Sequence, residues 1–484
     1  SEVMSSAVVT IALLASAWSR RQPRAPPPAD APCLPSSIPA LFNPDNSADA
    51  FRRWAPLRAL RHTASEKQEA VLMDRTTGPR LSQLASTPAS ASVPSHGRKR
   101  VLILISDTGG GHRASAQALD AALDTLRPSS FDVSIVDIWT DYGRWPHNQF
   151  VKGYAGAAKR QWIWRAMYYA SATPPSIQFL KVTAKLTCSK GFEKCIRQHD
   201  PDMVVSMHPL CQDIPLEILT KMGDGVRRVP FATVVTDLGG AHPTWFHKDV
   251  DACFVPSNAV RKLAEKKGLA GSKLRQRGLP VRPDFWKAPA SREELAQELG
   301  LSASRKTVLV VGGGDGVGSL EQIVDATAAK VSQACPDEAQ IVAVCGKNAE
   351  LRQRLEDKQY PGVNVQVKGF VQRMSDYMEM ADCIVTKAGP GTIAEACIRG
   401  VPIMLSNFLP GQEAGNVPFV TDGGFGAYSP KPRAIASKVT SWLQDPGQLE
   451  EMSTRAREAA SPAAAVDIAS DICEMIDVAD SDAK

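Results

Sequence analysis

VLILISDTGGGHRASAQAL, residues Val101–Leu119, decides the fold: an apolar run breaks into three glycines and a histidine, then resumes with helical spacing. Val101, Leu102, Ile103, Leu104 and Ile105 form a continuous β-rich run, the pattern of a central parallel strand covered on both faces. Gly109, Gly110 and Gly111 permit positive φ and close backbone approach, and Ala114, Ala116, Ala118 and Leu119 propagate a helix. Amides at such a helix start attract phosphate or carboxylate. The glycine spacing is not the dinucleotide fingerprint, and no Lys-Ser/Thr pair closes it as a P-loop. The loop presents His112 instead.

Working outward, 484 residues with 43% hydrophobic content supply the cores of two large domains and exclude a single small module. A net charge of +5 and a pI near 8.6 are too mild for a pervasive nucleic-acid surface. The ten cysteines contain no Cys-x-x-Cys pair, and Cys253, Cys345 and Cys383 fall in or beside buried strands, so they read as reduced thiols. Ser1 to about Gly97 is rich in Ala, Ser, Pro and Arg and poor in acidic residues. Within it Val8–Trp18 is apolar but too short to span a bilayer, and it precedes Ser19, Arg20, Arg21 and Arg24. A secretory signal has the reverse order, which leaves an organellar transit segment or a plain disordered extension. The chain begins at Ser1, so the start of translation is expected upstream.

Asp132–Asp137, Met203–Ser206, Phe231–Thr236 and Ala252–Val255 are further strand candidates, and a helix is expected from Asn258 to Lys267. In an open α/β sheet ligands bind beyond the carboxyl ends of the strands, which turns His208, Asp237 and the loop Gly239–Lys248 towards the crevice. His242 and His247 lack a Cys or Glu to complete a metal set, so a non-metal role is expected. Trp245 and Phe246 beside them have the composition of core or loop anchors. Tyr142–Phe192 has eight Lys or Arg and no acidic residue, with Trp162, Trp164, Tyr168 and Tyr169 interleaved among Lys159, Arg160 and Arg165. Two readings stand: a basic amphipathic segment at a lipid headgroup layer, or a helical layer with a solvated basic face.

The sequence GLPVRPDFWKAPAS and a linker from about Asp284 to Lys306 close this half. The opening device then repeats: Thr307–Val311 is β-rich, Gly312–Ser319 is a second glycine loop, and Leu320–Ala334 is helical. Two mainly parallel, doubly wound sheets are implied. In CIVTKAGPGTIAEACIR, Cys383–Arg399, a strand leads into Lys387, Ala388, Gly389, Pro390 and Gly391, and Thr392 begins a helix. The amides and the Thr392 hydroxyl make a diphosphate cradle of the type nucleotide-sugar enzymes need, with Glu395 one turn in as an acceptor for ribose hydroxyls. After the next strand, Pro402–Ser406, comes LPGQEAGN, where Gln412 and Glu413 offer groups suited to sugar hydroxyls.

Taken together, DTGGGHRASAQAL, VVTDLGGAHPTWFHK, VVGGGDGVGSL, GFVQRMSDYMEMADCIVTKAGPGTIAEA and LPGQEAGN resemble the monogalactosyldiacylglycerol synthase family, from about Arg98 to about Leu443. More distantly they are similar to the bacterial N-acetylglucosaminyltransferase that makes lipid II. The resemblance implies a GT-B fold: two Rossmann-like doubly wound domains facing a cleft. The acceptor and membrane domain is expected over 98–290 and the UDP-sugar domain over 305–445, after an N-terminal extension 1–97. Terminal helices, 446–484, are expected to cross back to the first domain. The activity implied is inverting transfer of galactose from UDP-galactose to 1,2-diacylglycerol, with no cofactor and no metal, at the chloroplast envelope as a peripheral protein.

The same resemblance implies that Phe370 and Val371 contact uracil, that Gly313, Gly314, Lys387, Gly389, Pro390, Gly391 and Thr392 surround the diphosphate, and that Glu395 holds the ribose. Gln412 and Glu413 would meet the sugar. His112 would be the base, with Asp237 the next candidate. Gly110, Gly111, Pro174, His242, Pro243 and Trp245 join Lys159, Arg160, Trp162 and Arg165 on the acceptor and membrane side. Such synthases respond to phosphatidic acid and phosphatidylglycerol, and the reading leaves room for a homodimer. Still open are a related lipid glucosyl- or N-acetylglucosaminyl-transferase and a non-catalytic nucleotide-sugar-binding subunit. A dehydrogenase fails because neither glycine loop has the fingerprint with an acidic residue about twenty positions on.

Overall fold

β1 (Lys99–Ile105) is fully buried from Val101 to Ile105. Its alternate residues enter opposite cores, Leu102 and Leu104 on one face, Val101, Ile103 and Ile105 on the other. That is why its apolar run is continuous rather than alternating. The structure, a computed structural model, describes residues 97–158, 160–312 and 319–482. The N-terminal stretch expected to be a targeting region, Lys159, Gly313 and Gly314 lie outside the described residues.

α1 (Gly111–Leu126) and β2 (Phe131–Asp137) follow β1, and then helices α2 (Ile138–Tyr142), α3 (Phe150–Ala158), α4 (Gln161–Ser171) and α5 (Pro174–His199). β3 (Met203–Ser206), α6 (Asp213–Met222), β4 (Phe231–Val234), β5 (Ala252–Val255), α7 (Asn258–Lys266) and β6 (Leu274–Gln276) complete the first half. Its six strands are parallel in the order β2-β1-β3-β4-β5-β6. The order reverses between β1 and β3, and a reversal point opens a crevice at the strands' carboxyl ends.

The stretch read as a linker contains a helix, α8 (Arg292–Leu299), closed by a capping box in which Ser291 accepts from the Glu294 amide and Glu294 from the Ser291 amide. Leu295 and Ala296 pack against Met380. The S-x-x-E spacing of Ser291 and Glu294 is the signal for this helix.

The second half runs β7 (Lys306–Val311), α9 (Leu320–Ala334), β8 (Ala339–Val344), α10 (Ala349–Glu356), β9 (Asn364–Lys368), α11 (Met374–Met380) and β10 (Cys383–Lys387). It ends with α12 (Pro390–Arg399), β11 (Ile403–Asn407), α13 (Asn416–Thr421) and β12 (Gly426–Tyr428). Its strands are also parallel, in the order β12-β11-β10-β7-β8-β9, with the reversal between β7 and β10. Val308 and Val310 enter one core, Leu309 and Val311 the other.

After α14 (Pro432–Leu443) and α15 (Pro446–Glu458), the last helix, α16 (Ala464–Asp482), lies on the first sheet. Its Ile468, Ala469, Ile472 and Ile476 fill the same core as Leu119 and Ala122 of α1. Asp471 pairs with Arg275 and Arg277, both at 2.8 Å. Nine cysteines among the described residues are free and buried.

Candidate active site

The loop after β1 is tied down before it reaches His112. Asp107 accepts a two-pronged bond from Arg113, at 2.8 and 2.6 Å, and its amide donates to Asp137. Gly109 and Gly110 take φ of 89° and 76°, a left-handed turn that other residues adopt at a penalty. That turn puts His112 in the first turn of α1, where it is buried. Its Nδ1 lies 2.9 Å from the Thr236 hydroxyl, and its ring meets His208 edge-on at 5.0 Å. Burial lowers the imidazole to about 4, against the opposing pull of the Met207 carbonyl and the Asp107 charge. His112 is therefore neutral near pH 7 and able to accept a proton.

Asp237, one residue beyond Thr236, is buried, and the Trp245 indole donates to its Oδ2 at 2.7 Å. Burial pushes the carboxyl up to about 7; the Trp245 bond pulls it down and the Glu413 charge pushes it further up. Trp245 is fully buried, its indole braces Asp237, and its ring lies 6.0 Å from that of His112. His242 caps the short turn Pro243–Trp245 through Nδ1, 2.7 Å from the Thr244 hydroxyl, and its ring sits edge-on to Tyr168. His247 turns instead to Asp213, at 3.5 Å. Among the described residues no group of three or more His, Cys, Asp or Glu is arranged to hold a metal.

In the second half α12 begins at Pro390, two residues earlier than the sequence suggested, with extended Gly389 before it and no side chain capping its amides. The amides of Gly391 and Thr392 thus have no helical acceptor and face outward from the helix start. Lys387 Nζ is 3.1 Å from Glu413 Oε1, and the other Glu413 oxygen accepts from the Leu409 amide at 2.8 Å. A small cavity at the ends of β7, β10 and β11 is lined by Gly312, Ser319, Lys387, Ser406 and Asn407 among others. Glu395 does not stand free: Arg282 reaches it from the connection between the sheets, at 3.0 and 3.2 Å. Burial raises its carboxyl and Arg282 opposes that rise. Phe370 is 63% exposed, whereas Val371 packs on the second core.

The two halves touch through these same loops. A Cβ on Gly239 would lie 2.0 Å from the Gly415 carbonyl oxygen, so side chains larger than hydrogen are shut out. Asn416 accepts from the Gly239 amide at 2.7 Å and donates to the Ala388 carbonyl at 2.8 Å. Across the same cleft Tyr154 donates to Gln412 Oε1 at 3.4 Å.

The basic segment divides by face. Trp162 is 74% exposed, and Arg160, Arg165, Tyr169 and Pro174 are exposed with it. Trp164 is buried, 4.8 Å edge-on from Tyr154 and 6.2 Å from Tyr168. Trp164 and Tyr168 therefore belong to an interior aromatic wall, not to a surface. Thr236, Tyr154, Arg282 and Asn416 were absent from the residues singled out in sequence. Thr236 had a signal, its place at a strand end beside Asp237; the others act across separations that no local pattern reports.

A family model described as monogalactosyldiacylglycerol (MGDG) synthase matches residues 112–281, and one for the glycosyltransferase family 28 C-terminal domain matches residues 307–468. The chain is 41% identical over 385 residues to monogalactosyldiacylglycerol synthase 1, chloroplastic, of Arabidopsis thaliana, covering 78% of this chain and 71% of that one. It is also 41% identical over 385 residues to the chloroplastic synthase of Spinacia oleracea, covering 78% and 73%. Among solved structures, Acinetobacter baumannii MurG superposes with a TM-score of 0.50 at 16% identity, over 78% of this chain and 99% of that one, a likeness of fold. The paired parallel sheets are a GT-B fold, and the chain belongs to the monogalactosyldiacylglycerol synthase family.

Proposed function

We propose that this glycosyltransferase moves galactose from UDP-galactose to 1,2-diacylglycerol, with inversion, to make a plastid galactolipid. The observation that carries the reading is His112: a buried, neutral imidazole held by Thr236 on a loop that shares its cleft with the donor loops. The diacylglycerol hydroxyl attacks the anomeric carbon from the face opposite UDP while His112 takes its proton; the bond to the diphosphate breaks and UDP leaves. The outward amides of Gly391 and Thr392 and the Lys387 ammonium stabilise the charge that gathers on the departing diphosphate. Glu413, fixed by Lys387 and the Leu409 amide, meets the sugar, and Glu395 the ribose.

No helix among the described residues is long and apolar enough to cross a membrane. Diacylglycerol stays in the bilayer, so the enzyme must come to the surface, and the exposed face of α4 suits that role: Trp162 and Tyr169 for the interface, Arg160 and Arg165 for anionic headgroups. The relatives' names are chloroplastic, and the proposed location is the plastid envelope, bound peripherally and responsive to phosphatidic acid and phosphatidylglycerol.

The test is direct. Purified chain, diacylglycerol in phosphatidylglycerol liposomes and radiolabelled UDP-sugars, with and without a chelator, should give a galactolipid under both conditions. A product carrying glucose or N-acetylglucosamine in preference would overturn the donor assignment.

A further inference from the structure

Building on the reading of Gln412 as a donor-sugar residue, we infer that Tyr154, which belongs to the acceptor half, is a positioning residue for the donor sugar and sets which hexose the enzyme accepts. Its hydroxyl reaches across the cleft to Gln412 Oε1 at 3.4 Å. Its ring is held on both sides, edge-on to Trp164 at 4.8 Å and against the base loop, where a Cβ on Gly109 would come within 3.9 Å of it. The loop that carries Gln412 leans on the same aromatic wall. Gly411 has φ of 88°, and a Cβ there would lie 2.2 Å from Tyr168 Cδ1, so the backbone passes flush against that ring.

The two sugar-facing side chains are thus fixed differently. Glu413 is held within the donor half by Lys387 and the Leu409 amide, and Gln412 from the opposite half by Tyr154. Burial, with the Glu413 and Asp237 charges nearby, pushes the Tyr154 hydroxyl far above its ordinary value. It stays protonated and acts as a hydrogen-bond donor. An amide whose oxygen accepts that bond turns its NH2 the other way, so Gln412 offers donors to a sugar oxygen. Without the bond the amide can present either end, and a site that offers donor and acceptor alike distinguishes epimeric hydroxyls poorly. Galactose and glucose differ at one such hydroxyl, that of C4.

Tyr154→Phe keeps the ring and removes only the donor. With the full chain on diacylglycerol-containing liposomes, its KM for UDP-galactose should rise roughly 3- to 10-fold, with kcat within about 3-fold of the starting protein. The ratio of kcat/KM for UDP-galactose over UDP-glucose should fall by a similar factor. The Kd for UDP by calorimetry should not move, which also shows that the donor half is folded. Because Tyr154 acts through Gln412, adding Tyr154→Phe to Gln412→Ala should lower the ratio no further than Gln412→Ala alone. An unchanged ratio, additive losses in the double variant, or weaker UDP binding in Tyr154→Phe would each overturn the inference. If the unsubstituted chain transfers no galactose at all, the functional reading fails first, and the two failures are distinct.

Discussion

Burial acts on His112 and Asp237 in opposite senses, because it penalises the charged form of each and the two charge in opposite directions with pH. His112 is brought from its ordinary 6.5 to about 4, so its neutral form contributes stability that is complete above 6.5 and lost as pH falls towards 4. That same neutrality is what a base needs. His112→Ala should lower turnover by roughly two to four orders of magnitude while UDP affinity holds; near-normal turnover would move the base to Asp237. Asp237 goes the other way, from 3.8 to about 7. Its contribution is complete below its ordinary value and lost as pH rises through about 7, so at neutral pH it is a liability to folding. Asp237→Asn keeps an oxygen for the Trp245 indole and should stabilise the fold by an amount that grows from pH 4 to 7, to about 2–4 kcal/mol. Urea denaturation at the two ends of that window checks this, and an equal gain at both would show that the carboxyl is not what burial strains.

Two elements are proposed to meet the substrates. α12 offers uncapped amides at its start and Glu395 one turn in, and the loop after β11 offers Glu413. If these divide the donor between them, Glu395→Ala should weaken UDP itself, whereas Glu413→Ala should spare UDP and impair use of UDP-galactose. Calorimetry with UDP separates the two, and equal losses would reject the division. On the other side, α4 shows one face to solvent and packs the other, Trp164 and Tyr168, inward. Each cation near an anionic leaflet is worth about 1 kcal/mol. Neutralising Lys159, Arg160 and Arg165 together should therefore reduce flotation with phosphatidylglycerol liposomes, most visibly at low salt, without altering UDP binding. Unchanged flotation would return the segment to a solvated helical face.

At the scale of the molecule, the chain's last helix belongs to the first sheet's core although it follows the second sheet in sequence. It is fastened at one point by Asp471 between Arg275 and Arg277 and further along by Arg127 to Asp477 and Lys99 to Asp480, at 2.5 and 2.6 Å. The arginines are partly exposed, which weakens the pairing. Asp471→Ala, which removes the carboxylate the two guanidinium groups share and leaves Arg275 the more distant Glu474 at 3.9 Å, should cost about 1–2 kcal/mol in urea denaturation; a loss below a few tenths would mean that Ile468, Ile472 and Ile476 hold the helix unaided. The contact of Gly239 on Gly415, bridged by Asn416, joins the loop after β4 to the loop after β11 across the cleft.

The sequence by itself determined the two doubly wound sheets and their main strands, and it singles out His112, Lys387, Glu395, Gln412 and Glu413 as candidates. Each of these rests on local facts: four or five apolar residues in a row, a glycine turn, a helix start, a polar loop at a strand end. A strand buried on both faces reads as a continuous apolar run, and Val101–Ile105 and Val308–Val311 are such runs. The short strands β6 and β12, at three residues each, were too brief to carry a period. Only the tertiary structure decided what holds those residues in place: Thr236 on His112, Trp245 on Asp237, Arg282 on Glu395, Tyr154 on Gln412. Three of these pairs lie more than a hundred residues apart, at separations of 124, 113 and 258. Such partners are chosen by which loops the folded sheets bring together, within the first sheet for Thr236 and His112 and towards the second for Arg282 and Tyr154, a constraint that leaves no periodicity along the chain.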